Sequence, residues 1–152
     1  DLPDFEDYAM TNRTYRYFGG KPLFAFGHGL RYAKFKYAKA SVENPKATAD
    51  ANVRVVFNLK NAGPRAGDEV AQVYFRHKHS AVAQPKLTLC GFTRVNLASR
   101  ESKQVAIDIP AKNFRYWDTT KKEYVVEPGS YELLIGAASN DIRLRVPFEI
   151  QP

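Results

Sequence analysis

Cysteine is nearly absent: the 152 residues contain one, Cys90, so neither an intramolecular disulfide nor a cysteine-built zinc site is available and the core must stabilise the fold. No apolar run reaches about 18 residues and no basic-then-apolar leader opens the chain, so nothing in it is expected to span a membrane or direct secretion. It starts at Asp1 without a Met, which reads as a fragment or a processed product. Internal repeats, low-complexity stretches and blocks of basic charge are also missing, which excludes solenoids and basic tails.

What is present is globular: 44% hydrophobic and 26% charged residues in 17.2 kDa, enough for one core and too little for a catalytic domain plus an accessory one. Lys and Arg total 23 against 16 Asp and Glu, a net charge of +7 spread along the chain that permits contact with acidic polymers. Nine Tyr, ten Phe, nine Gly and nine Pro at strand-and-turn intervals point to an all-β domain. Residues 1–32 read as an arm, because Phe5, Tyr8, Tyr15, Tyr17, Phe18, Phe24, Phe26 and Tyr32 follow neither helical nor alternating periodicity. Each buried apolar side chain is worth roughly 1.5–3 kcal/mol, so these aromatics must pack either on this domain or on a neighbour.

Residues 33–152 alternate with period two in about seven segments, the pattern of a two-sheet β-sandwich. The first places Phe35, Tyr37, Lys39 and Ser41 on one face; the second places Val53, Val55, Phe57 and Leu59 inside and ends at the turn Asn61-Ala62-Gly63-Pro64. Segments follow at 69–77, 87–95, 102–109, 131–136 and 142–150, and Pro147 in the last calls for an edge or a bulge.

Few residues offer chemistry. His77 and His79 sit two apart at a strand end and could share a face, but they lack a third metal ligand, so no metal or cofactor is expected. Cys90 reads as a small strand residue. Gly19-Gly20 and Gly27-His28-Gly29 read as turns, since no strand and helix frame a phosphate cradle there. The pairs Asp4/Glu6 and Asp68/Glu69 read as solvated loops with nothing to split their pKa values. Arg31-Tyr32-Ala33-Lys34-Phe35-Lys36-Tyr37 alternates basic and aromatic residues, yet no nucleic-acid motif accompanies it, so it reads as a strand with aromatics inside and lysines outside. Asn12-Arg13-Thr14 matches the short glycosylation acceptor pattern. Trp117, the sole Trp, is expected to pack in the sandwich; if exposed, it and Tyr116 would offer a sugar a stacking platform.

Several runs carry a specific resemblance: Tyr15-Arg16-Tyr17-Phe18 with Pro22-Leu23-Phe24-Ala25-Phe26-Gly27-His28-Gly29-Leu30-Arg31-Tyr32; Asn61-Ala62-Gly63 with Ala66-Gly67-Asp68-Glu69-Val70-Ala71-Gln72-Val73-Tyr74; Pro85 with Leu89-Cys90-Gly91-Phe92; Glu127-Pro128-Gly129-Ser130-Tyr131; and Gly136 to Ile142. In this order they resemble the linker and C-terminal fibronectin type III-like domain of family 3 glycoside hydrolases, the β-glucosidases and β-xylosidases. Ala25, Arg31, Cys90 and Ala138 depart from the usual residues. The resemblance implies an immunoglobulin-like sandwich at 33–152 and, at 1–32, a linker from a preceding α/β domain.

By the same resemblance, the nucleophile and the acid/base group belong to domains outside this chain, which alone would hydrolyse nothing. The expected role is accessory and structural, with Arg13, Tyr15, Arg16, Tyr17, Phe18, Phe24 and Phe26 facing the parent's catalytic domains. The alternative is a module that holds plant cell-wall polysaccharide, lignin-like polymer or another polyanion near them, with Tyr116 and Trp117 as contacts. No specific nucleic acid or membrane is an expected partner, and family analogy gives the parent a periplasmic or extracellular location.

Overall fold

The computed structural model describes residues 4–8, 10–30 and 33–152. Ten strands run in chain order: β1 Phe35–Val42, β2 Lys46–Thr48, β3 Asn52–Asn61, β4 Gly67–His77, β5 Thr88–Leu97, β6 Ser102–Pro110, β7 Tyr116–Asp118, β8 Glu123–Val125, β9 Gly129–Ala138 and β10 Asp141–Gln151. One helical turn, α1 Thr14–Tyr17, precedes them, and a 3₁₀ turn at Ala111–Phe114 links β6 to β7. A three-stranded sheet, β1-β3-β6, faces a five-stranded one, β2-β10-β9-β4-β5, while β7 and β8 form a separate hairpin. The result is the expected two-sheet sandwich. All seven expected strands are present; β2, β7 and β8, three residues each, are too short to leave a periodic signal.

The core follows the alternation. Val53, Val55, Phe57 and Leu59 of β3 are fully buried, together with Val73 of β4 and Leu133 and Ile135 of β9. Phe75, Phe114, Tyr131 and Phe148 close one end, with Phe75 and Phe114 edge-to-face at 5.0 Å. Pro147 occupies the position its chemistry requires. Glu149, two residues on and with the same backbone orientation, donates its N–H to Pro45 O (2.8 Å), whereas β2 pairs only with 149–151. The missing N–H of Pro147 therefore points to a side without a ladder partner.

Two expectations change. Simple alternation in β1 fails, because the register slips between Ala38 and Ser41 and Lys39 takes φ +54°. This bulge turns Ala40 and Val42 toward the core in place of Lys39 and Ser41. Glu69 is not on a solvated loop: it is buried on β4, within electrostatic reach of Arg143.

The arm explains why β4 and β9 are buried on both faces from Ala71 to Phe75 and from Leu133 to Ala138. It lies across the outer side of the five-stranded sheet. The Tyr15 ring stacks on Phe26 (4.1 Å, 13°) and meets Tyr74 edge-on at 6.0 Å, and its hydroxyl accepts the Leu89 N–H at 3.0 Å. Backbone bonds pin the arm twice more, Lys86 N–H to Arg16 O and Ser139 N–H to Phe26 O, both 2.9 Å. Arg31, Tyr32 and the arm's boundary at residue 32 lie outside the described residues.

Candidate functional site

The buried polar groups hold loops in place. Asn61, fully buried at the end of β3, donates to Arg65 O (2.7 Å) and Leu97 O (3.2 Å) and accepts from Gly63 N–H (2.9 Å), which shapes the turn into β4. Gln72 donates to Ala137 O (2.7 Å) and Gly27 O (3.0 Å) and accepts from the Tyr74 hydroxyl. Glu127 receives the Ser80 hydroxyl (2.5 Å), the Ala81 N–H (2.8 Å) and His77 Nδ1 (3.2 Å), and its own backbone oxygen accepts from Tyr131 Oη (2.6 Å). Burial pushes the Glu127 carboxyl upward, but the Ser80, Ala81 and His77 contacts outweigh it and hold the group below its ordinary value.

These bonds settle several candidates. β4 ends at His77, whose ring stacks on Tyr131 (4.3 Å, 5°) while Nδ1 faces Glu127; His79 sits exposed on the following bend. The two histidines therefore do not share a strand face. The Ser80 hydroxyl is bonded to the carboxylate rather than to the imidazole, which is not a nucleophile-and-base arrangement. Cys90 is buried, its Sγ 3.3 Å from Val73 O, and burial drives its thiol far above the ordinary value. Asp68 meets Arg94 and Asn96 at the surface, and these bonds lower its pKa. In the basic and aromatic run, Phe35 is in the core, Tyr37 stacks on Phe57 (5.8 Å), and Lys34 and Lys36 are exposed. Among the described residues, no group of three His, Cys, Asp or Glu side chains is placed to hold a metal, and no helix is long and apolar enough to cross a membrane.

Two surfaces remain. The first is the outward side of the arm, where Phe5, Tyr8, Leu23, Phe24 and Leu30 are 68–95% exposed. Of the seven residues expected there, Phe18, Phe24 and Phe26 are exposed and line an apolar cleft of about 530 Å³. Tyr15 lines the same cleft but is half-buried and meets Tyr74 edge-on. Arg13 and Tyr17 are half-buried and Arg16 is exposed. Phe5, Tyr8, Leu23 and Leu30 were not singled out as contacts, because an irregular segment has no periodicity to say which side chains turn outward.

The second surface is the β7–β8 hairpin. Trp117 is not a core residue: it is 51% exposed and packs edge-on against Tyr124 (60% exposed) at 5.2 Å, with the Arg115 guanidinium 4.4 Å from the Tyr124 ring. Trp117 and Tyr124 are register partners and so share a face, whereas Tyr116 is half-buried on the opposite one. Tyr124 is thus the outward neighbour of Trp117 that the sequence pair Tyr116/Trp117 did not include. Strands of three residues give too little alternation to reveal it.

Comparison with known proteins agrees with this architecture. Residues 69–139 match the fibronectin type III-like domain family. The chain is 39% identical over 134 residues to thermostable β-glucosidase B of Acetivibrio thermocellus, covering 86% of this chain and 18% of that protein. It is 35% identical over 144 residues to a xylan 1,4-β-xylosidase of Xylanibacter ruminicola, covering 95% and 16%. The structure of β-glucosidase 3B from Thermotoga neapolitana in complex with glucose superimposes with a TM-score of 0.81 at 33% identity, over 91% of this chain and 19% of that one. The chain thus spans less than a fifth of the length of these relatives.

Proposed function

We propose, from the premise that this chain carries a fibronectin type III-like domain homologous to the C-terminal region of family 3 β-glucosidases and β-xylosidases, that it is the non-catalytic accessory domain of such an enzyme. In this reading the parent hydrolyses terminal β-linked glucosides or xylosides with residues beyond these 152. The sandwich stabilises it by presenting the arm as a docking strip to the catalytic domains.

One observation carries the reading: the arm is two-sided. Its inner side is fastened through Tyr15 and the backbone oxygens of Phe26 and Gly27, while its outer side exposes Phe5, Tyr8, Leu23, Phe24 and Leu30. Five large apolar side chains exposed on one short segment are the signature of a protein-covered surface. Asp68 and Glu127 are each committed to local partners, which removes both from the kind of carboxylate pair that glycoside hydrolysis needs.

Co-purification tests this. The chain, produced together with the remainder of a family 3 parent, is expected to bind it. Leu23→Asp combined with Phe24→Asp should abolish that binding and leave the chain's own melting temperature within about 2 °C, because neither residue touches the core. Undiminished binding by the double variant would defeat the proposal. By family analogy we also propose a periplasmic or extracellular location for the parent, which cell fractionation checks. The alternative, a module that holds polysaccharide or polyanion near the catalytic domains, has support in the exposure of Trp117 and Tyr124.

A further inference from the structure

The two exposed aromatic surfaces differ in kind. The arm offers apolar side chains in close succession. On the hairpin, Trp117 and Tyr124 meet across the strands, and the six residues that join them in sequence, Asp118, Thr119, Thr120, Lys121, Lys122 and Glu123, are all polar or charged. A protein covering the hairpin would have to desolvate those charges, and the centres of protein interfaces are depleted in Asp, Glu and Lys for that reason. The turn is also built rather than slack: Asp118 Oδ1 accepts the N–H groups of Thr120 (2.8 Å) and Lys121 (3.0 Å), and Lys122 N–H donates to Asp118 O (2.8 Å).

Beside the rings opens a cleft of about 1000 Å³ whose walls include Gln84, Asn113, Asp118, Thr119 and Thr120. Amide, carboxylate and hydroxyl groups thus surround an exposed indole. That combination suits one ligand chemistry. A pyranose in its chair presents C–H bonds on its face and hydroxyls around its rim, so it stacks on an aromatic plane and exchanges hydrogen bonds at the sides. A β-linked chain of such rings is flat and repeats the stacking surface. The charge of the lining is mixed: Arg16, Lys112 and Arg115 stand with Asp118, and the Arg115 guanidinium lies over the Tyr124 ring.

We infer that the Trp117–Tyr124 face of the hairpin, with the cleft beside it, is a binding site for a β-linked pyranose chain. It is separate from the arm, so it stands whether or not the arm docks on catalytic domains.

Trp117 is the only Trp in the chain, so tryptophan emission, excited selectively over the nine Tyr, reports on this site alone. Titration of the 152-residue chain with cellohexaose and xylohexaose is expected to shift the emission saturably, with a dissociation constant on the order of 1 mM. Calorimetry should then show Trp117→Ala and Tyr124→Ala each at least about tenfold weaker. Phe92→Ala, an exposed ring outside the cleft, should bind like the parent chain. Unchanged melting temperatures separate loss of contact from loss of fold, and Tyr124→Ala retains the fluorescent reporter should Trp117→Ala fold poorly. No saturation with either neutral oligomer up to about 10 mM overturns the inference. So does binding that survives both hairpin substitutions, or a preference for oligogalacturonate that about 300 mM salt removes.

Discussion

Gln72 Nε2 donates to Gly27 O at 3.0 Å, tying the arm to the middle of the five-stranded sheet across 45 residues of sequence. Gly27 has φ +79°, and a Cβ there would lie 2.0 Å from Gln72 Oε1. Conformation and space both require glycine.

Gly27→Ala is therefore expected to cost about 2–4 kcal/mol, of which about 1–2 comes from the left-handed backbone and the rest from hydrogen bonds lost as Gln72 retreats. Thermal unfolding should show a midpoint roughly 5–15 °C lower. A shift under 2 °C would mean that the arm is not clamped there.

Removing residues 1–30 should do more than shorten the chain. Tyr74 and Leu134, buried now, belong to the stretch that the arm covers. Uncovering that sheet face is expected to lower the melting temperature and make the shortened domain self-associate, seen as a concentration-dependent mass by light scattering. A shortened chain that stays monomeric with its melting point unchanged would show that the arm contributes nothing to this fold.

Glu127 sets a pH dependence with a definite sign. Its folded-state pKa lies below its ordinary value of 4.5, so its stabilising contribution is fully present above that value. The contribution fades as pH falls through the lower folded pKa. Glu127→Gln keeps an acceptor for Ser80 and Ala81 but removes this titration. The melting temperature of the variant should fall less steeply than that of the parent chain between pH 5 and pH 3 (the range about the carboxylate pKa); parallel profiles would assign the dependence to other carboxylates.

Cys90 is expected to resist thiol reagents in the folded protein, because burial both hides Sγ and disfavours the thiolate. Colour from a disulfide reagent should develop only as fast as the domain opens, and at once in denaturant. Immediate reaction under native conditions would show that β5 opens locally.

Much of this was legible beforehand. Alternation in β3, β6 and β9 located the core because a strand with one wet face must repeat every two residues. The motif glycines and the buried Asn61 marked turns for the same local reason. The candidate surfaces were less legible. Tyr15 and Phe24 belong to one aromatic-rich arm, yet one turns onto Tyr74 and the other to solvent. Nothing local distinguishes them.

The sequence by itself thus determined the all-β class, the seven long strands and the absence of a disulfide, because each follows from composition or from periodicity within a few residues. Only the tertiary structure decided that the arm folds back on the sandwich, that Lys39 bulges and reverses the faces of β1 beyond it, and that Trp117 pairs with Tyr124 in the open. Each of these depends on contacts between segments distant in the chain or on strands too short to show a period, and such contacts are chosen by packing rather than by local propensity.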